Sequence, residues 1–208
     1  MYARSTTISG DPGALDDAVA LVRDEIWPAL RDTDGCVGMS MACDRATGRC
    51  IATSAWRDRE AMRASAARVE PMRRRLADRF GAQGDLAVQE WEVAVVHRAH
   101  AAGDGAWARI TWVRGDPART DALLDTYRST LVPRIEEMPG FCSLSVFVDR
   151  DTGNAVGTVV FDDRASLEAA RERARGLREE GVRLMGVDVL DVAEMELVVA
   201  HLRVPETV

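Results

Sequence analysis

The stretch Asp44-Arg45-Ala46-Thr47-Gly48 returns 105 residues later as Asp149-Arg150-Asp151-Thr152-Gly153. Aspartate and threonine side chains bond nearby backbone, and a glycine accepts positive φ, so this stretch reads as a hairpin turn. Two hairpin turns at a fixed offset point to a duplicated unit, and the flanks confirm it. Ala3-Arg4 falls on Ala108-Arg109, Gly10-Asp11-Pro12 on Gly115-Asp116-Pro117, Pro28 on Pro133, Gly35 on Gly140 and Asp58-Arg59 on Asp163-Arg164. Residues 2–59 and 107–164 share 18 identities in 58 positions. Past that point the offset becomes 104, which sets Glu90, Glu92 and His97 on Glu194, Glu196 and His201.

Each copy reads as βαββαβ. A first strand spans 2–9 (107–114). Asp11-Pro12 and Asp116-Pro117 then give a capping acceptor followed by a proline at the first helical position, where its missing N–H costs nothing. Val19, Val22, Ile26 and Leu30 recur at helical spacing up to about residue 33. Gly35 opens the second strand, and the third ends at Trp56 (Phe161). Asp58 and Asp163 cap a second helix. Its expected buried stripe is Met62, Ala66, Val69, Leu76 and Phe80, and in the second copy Leu167, Ala170, Ala174, Leu177 and Leu184. Pro71 is expected to start a separate short helix. The last strand spans 86–98 (189–202). The expected organisation is a first repeat over 1–98, a small-residue linker over 99–106 and a second repeat over 107–203.

The central strands are apolar on both faces, with Val37, Met39, Met41 and Cys43 in one copy and Val146, Phe147 and Val148 in the other. Such a sheet needs cover on each side. The expected fold is therefore α+β: two ferredoxin-like βαββαβ repeats whose antiparallel sheets pack as an intramolecular pseudo-dimeric α+β barrel, in a monomer with internal pseudo-twofold symmetry.

Hydrophobic residues make up 47% of the 208 residues, enough for a packed core. No apolar run approaches the ~20 residues of a membrane span, and residues 1–7 lack the apolar core of a secretory signal. A cytoplasmic location without membrane contact is expected. The net charge of −7 opposes phosphate binding, so no nucleic-acid partner is expected. Cys36, Cys43, Cys50 and Cys142 form no disulfide framework. Cys43 and Cys50 flank the hairpin and could approach across strands, although free thiols are the expectation. The three histidines, His97, His100 and His201, lie far from the cysteines in sequence, and with no CxxC pair no metal site is expected.

The strand ending at Trp56, followed by the helix opening Arg57-Asp58-Arg59-Glu60-Ala61-Met62, together with Gly35 and the hairpin, resembles the antibiotic-biosynthesis monooxygenase superfamily. The resemblance covers nearly the whole chain, once per repeat, and implies the dimeric α+β barrel. It implies activities that range from cofactor-independent oxygenation of aromatic polyketides to haem degradation. Haem-degrading members carry an Asn on the first strand, and a Trp and a His after the third. Here the one Asn is Asn154, in a hairpin, and 57–85 and 162–188 contain no His. Haem ligation is therefore not implied, and no cofactor is expected.

The resulting expectation is a cofactor-independent monooxygenase acting on a small aromatic, polyketide- or quinol-like molecule. The alternative is a non-catalytic ligand-binding or stress-related barrel. Substrate-pocket candidates are Trp56, Ser65 and Arg74 in the first copy, where the pocket is expected with Trp56 lining it, and Trp112 and Phe161 in the second. An indole or phenyl ring can stack on an aromatic ligand, and a guanidinium can stabilise an enolate. His97 and His201 are acid/base candidates. Glu90 with Glu92, and Glu194 with Glu196, each lie on one face of the last strand, and one of each pair is expected to form an ion pair across to Arg4 or Arg109, because in this fold the last strand pairs with the first.

Overall fold

The computed structural model describes residues 1–82, 84, 86–103, 105–201 and 205–207. Both copies are ferredoxin-like βαββαβ repeats. The strands are β1 (Tyr2–Ser9), β2 (Cys36–Asp44), β3 (Arg49–Trp56) and β4 (Ala87–Arg98), then β5 (Trp107–Arg114), β6 (Phe141–Asp149), β7 (Asn154–Phe161) and β8 (Asp188–Ala200). Within the first unit the strands hydrogen-bond in the order β4-β1-β3-β2-β8, and within the second in the order β8-β5-β7-β6-β4. The two compact units do not follow the repeats residue for residue. One holds Met1–Trp91 and Glu196–Val204, and the other holds Glu92–Met195 and Pro205–Val208. The long last strands β4 and β8 thus each divide between the units.

In the first unit, β3 lies between β1 and β2, and the end of β8 pairs with β2, Ser40 facing Ala200 and Cys43 facing Glu196. The Asp44 carboxylate accepts from Ala46 N at 2.9 Å and from Thr47 Oγ1 at 2.6 Å. Gly48 turns the chain at φ 71°. A Cβ there would stand 2.2 Å from Gly10 O, so the hairpin also needs glycine to dock on the end of β1. Asp11 accepts from Gly13 N, as its capping role requires. The helical arm that follows is α1 (Leu15–Leu21), a wider π-helical turn over Val22–Ile26, and α2 (Trp27–Arg31). Pro28 explains the widening: it has no N–H to give, and its ring would crowd the carbonyl four residues back. Val19, Val22, Ile26 and Leu30 are all buried.

Asp58 caps α3 (Arg59–Ala64), accepting from Ala61 N at 2.7 Å. The chain then breaks at Ser65, whose hydroxyl bonds back to Met62 O at 2.8 Å. Helix α4 (Ala66–Arg79) runs straight through Pro71. The expected break at Pro71 is therefore displaced six residues earlier, to a residue that competes for backbone with its side chain. Within the expected stripe Met62, Leu76 and Phe80 are buried, while Ala66 is exposed.

The second unit repeats these devices. β7 lies between β5 and β6, and β6 pairs with the second half of β4, Glu92 facing Val148. The arm is α5 (Thr120–Thr126), a π-helical turn over Tyr127–Leu131 ahead of Pro133, and α6 (Val132–Glu136). Asp163 caps α7 (Arg164–Ala169), and α8 (Arg171–Met185) ends at Gly186, φ 65°. Leu184, expected in the stripe, is 53% exposed, and Met185 takes the inward position. The helix phase after Gly181 decides this, one residue off the expected one.

The cysteines correct the free-thiol expectation in part. Cys43 and Cys50 face each other across the β2–β3 hairpin, Cα atoms 4.2 Å apart, and form a disulfide, while Cys36 and Cys142 are free. No helix among the described residues is long and apolar enough to cross a membrane.

Candidate functional site

The second unit holds a cavity of about 180 Å³ between its sheet and its helices. The corresponding space in the first unit is about 50 Å³. Side-chain size accounts for the difference. Where the first copy carries Met41, Ala52, Val69 and Leu76, the second has Val146, Gly157, Ala174 and Gly181, all four lining the larger cavity. One change runs the other way: Val22 becomes Tyr127, at the start of the π-helical turn.

Tyr127 lines the cavity, and among the described residues no group bonds its hydroxyl. Burial pushes the phenol well above its ordinary pKa, so near neutrality it is a donor and not a base. Arg109, on β5, is 6% exposed and lines the same cavity. Its Nε and Nη2 donate to Glu194 Oε1 at 3.1 and 2.8 Å, and Nη2 also reaches Leu167 O at 3.0 Å. Its Nη1 is buried with no hydrogen-bond partner among the described residues. A buried guanidinium N–H without an acceptor is a costly arrangement. The first copy shows what is missing. Arg4 bonds Glu90 and Met62 O in the same way, and its Nη1 reaches Ser65 Oγ at 3.4 Å. The residue at the position of Ser65 in the second copy is Ala170. Arg178, half-buried on α8, is the second cationic residue of the lining, which also includes Thr111, Thr120 and Asn154. Two carboxylates also line the cavity, but Asp116 is engaged in capping, through Ala118 N, and Asp149 in the hairpin, through Asp151 N and Thr152 Oγ1.

Of the candidates named from sequence, Phe161 lines this cavity, with the Arg109 guanidinium carbon 5.7 Å from its ring centroid. Trp112 stands opposite Val156 on β5 and is not part of the lining. Trp56 is fully buried in the first unit's core, its Nε1 donating to Ser54 Oγ at 3.0 Å. Ser65 is buried between Arg4 and Met62, and Arg74 is exposed and ion-paired with Glu70 one turn back. None of these three lines the first unit's small cavity, where Arg4 and Arg73 supply the cationic lining. The structure thus separates the expected first-copy trio and gathers a different set in the second. His97 lies 3.3 Å from the Glu136 carboxylate and stacks on Phe141; His201 stacks on Trp27 at 5.0 Å. Neither borders a cavity described above.

The glutamate pairs divide their partners. Glu90 and Glu194 meet Arg4 and Arg109 as expected, while Glu92 and Glu196 meet the hairpin arginines Arg150 and Arg45. These hairpin arginines also bind Asp121 and Asp16 on the first helical arm, which gives the repeated Asp-Arg motif its structural use. Tyr127 and the Arg109–Ala170 mismatch were missed from sequence. The repeat alignment held the signal, since both sit where the two copies differ in polarity. Away from the cavity, His100, Cys142 and Asp162 converge with metal-ligating atoms all within 4.8 Å of one another.

The family model for antibiotic biosynthesis monooxygenase matches residues 1–70. The uncharacterised protein Rv2557 of Mycobacterium tuberculosis is 46% identical over 208 residues, covering 100% of this chain and 92% of that one. Among solved structures, a candidate monooxygenase of Lactobacillus acidophilus aligns with TM-score 0.68 at 12% identity, over 94% of this chain and 92% of that one. An anthrone oxidase-like protein aligns with TM-score 0.65 at 15% identity, over 94% and 90%. At these identities the structural likeness establishes the fold.

Proposed function

We propose, from the premise that this chain belongs to the antibiotic biosynthesis monooxygenase family, that its second unit is a cofactor-independent oxygenase of a small aromatic, quinol- or anthrone-like molecule, and that its first unit is the filled, structural copy. The observation that carries the reading is the cavity of about 180 Å³ with apolar walls, one buried donor without an acceptor, Arg109 Nη1, and the Tyr127 phenol in the same lining.

A ring system fits apolar walls, and an oxygen substituent that carries or develops negative charge fits the donors. Arg109 favours the ionised form of a phenol or enol placed beside it, and the low-dielectric wall strengthens that attraction. Tyr127, kept neutral by burial, donates to the same oxygen or to a neighbouring carbonyl. No lining carboxylate is disengaged to serve as a base, so the site works by lowering the substrate's own pKa. The resulting carbanion reduces O₂: one oxygen atom enters the carbon as a carbonyl, and the other leaves as water with the two hydrogens that carbon loses.

The test is oxygen uptake with a panel of anthrones and hydroquinones, comparing the native chain with Gly181→Leu, which restores the first copy's side chain and fills the cavity. Uptake above the uncatalysed rate, falling at least tenfold in the filled variant, supports the reading. Uptake unchanged by filling, or none across the panel, favours a ligand-binding barrel.

A further inference from the structure

We propose that His100, Cys142 and Asp162 form a zinc site that ties the segment after β4 to the ends of β6 and β7. Three ligand types that suit zinc, one imidazole, one thiol and one carboxylate, converge from three separate parts of the second unit. Asp162 Oδ1 lies 3.3 Å from Cys142 Sγ and 3.6 Å from His100 Nε2. Zinc bond lengths of about 2.0–2.3 Å in a tetrahedron set neighbouring donors roughly 3.3–3.6 Å apart, so two of the three edges already have the span an ion needs.

The backbone holds this arrangement without help from an ion. Ala99 N and His100 N both donate to Cys142 O, at 2.9 and 3.2 Å, and Asp162 N donates to Gly140 O at 2.8 Å. These bonds fix the strand ends that carry all three side chains. The other imidazole nitrogen, His100 Nδ1, sits 3.2 Å from Ala101 O. Donation to that carbonyl places the ring's lone pair on Nε2, the nitrogen that faces Asp162, as in the outer-shell support of metal-bound histidines. His100 and Asp162 are each half exposed, at 49%, while Cys142 is buried, so an ion can enter from solution and meet its softest ligand last. On binding, the Cys142 S–H bond gives way to an S–Zn bond, and the proton leaves to solvent. Three protein ligands leave a fourth position for water. The first copy has Val37 and Arg57 at the positions of Cys142 and Asp162, so the site belongs to the second copy alone.

The test uses the full chain after treatment with chelator, titrated with Co²⁺ as a spectroscopic stand-in and then with Zn²⁺. The expected result is a thiolate-to-cobalt charge-transfer band that saturates at one equivalent and is displaced by Zn²⁺, with the melting temperature rising on zinc addition. Cys142→Ser abolishes the band, and His100→Ala and Asp162→Asn each weaken binding at least tenfold. Cys36→Ser leaves the band intact, which separates this thiol from the other free one. Melting of each variant in chelator, expected to match the native chain, shows that the loss is of ligands and not of fold. Absence of a band, or affinity indifferent to His100 and Asp162, overturns the proposal. The oxygen-uptake experiment is independent of it.

Discussion

Arg4 Nη1 donates to Ser65 Oγ at 3.4 Å, a bond the second repeat cannot make because alanine stands at the serine's position. The two arginines otherwise have matched surroundings, each with a strand glutamate and a helix carbonyl as acceptors. Ala170→Ser should therefore give Arg109 its missing acceptor. Chemical denaturation is expected to show a gain of about 1 kcal/mol, and any aromatic ligand bound at the cavity should bind more weakly. The reciprocal Ser65→Ala should destabilise by about 1–3 kcal/mol, because it strands a buried donor. A null effect of both variants on stability removes the premise that Nη1 is held in want of a partner.

Filling the larger cavity should stabilise the fold. A Cβ at Gly181 meets Leu131 Cδ1 at 3.1 Å, the flexible end of a side chain, and otherwise lining atoms. Gly181→Leu also removes a helix-interior glycine, worth about 1 kcal/mol by propensity alone. Thermal melting is the check. A lower melting temperature would mean the space is not available to a side chain.

Trp56 should matter for stability and not for oxygen uptake. The ring is fully buried and its N–H is bonded to Ser54. Trp56→Phe copies Phe161, loses that bond and leaves a small void, at an expected cost of about 1–3 kcal/mol. Oxygen uptake per folded molecule should stay at the native level. A selective fall in uptake would return the site to the first copy.

The Glu194 carboxylate gives the second unit an acid-sensitive tie. Burial pushes its pKa upward, but hydrogen bonds and charge from Arg171 and Arg109 outweigh burial and leave it below the ordinary glutamate range. A depressed folded pKa means that its stabilisation is present above the unfolded value of about 4.3 and is lost as pH falls through the folded value. Glu194→Gln should accordingly lower stability at neutral pH and flatten the acid limb of the stability profile. Denaturation midpoints across the acid range for both chains test this, and parallel profiles would contradict it.

Reduction of Cys43–Cys50 should cost the first unit about 2–3 kcal/mol, given the short loop of sequence separation 7. The double change Cys43→Val and Cys50→Ala, which copies Val148 and Ala155, should behave like the reduced chain. Urea denaturation with and without reductant distinguishes the two states.

The repeat, the βαββαβ order, the hairpins and the helix caps were legible in the sequence. Each rests on local chemistry: Asp58 capping its own helix, Gly48 taking positive φ in its hairpin, Asp11 and Pro12 opening the first helical arm. The pairing of Arg4 with Glu90 was legible too, because the fold class fixes which strands are neighbours. What the sequence could not state was volume. Whether Trp56 or Phe161 borders a void depends on how Met41, Leu76 and Val69 fill one copy and how Val146, Gly181 and Ala174 leave the other open, and that is a sum over side chains distant in sequence. The convergence of His100, Cys142 and Asp162 is of the same kind. Spacing along the chain separates them by up to 62 residues, and only the hydrogen bonds that join the ends of β4, β6 and β7 bring their donors together. Local propensity chose the elements of this protein; packing and strand-end geometry, which act across the chain, chose where a ligand can sit.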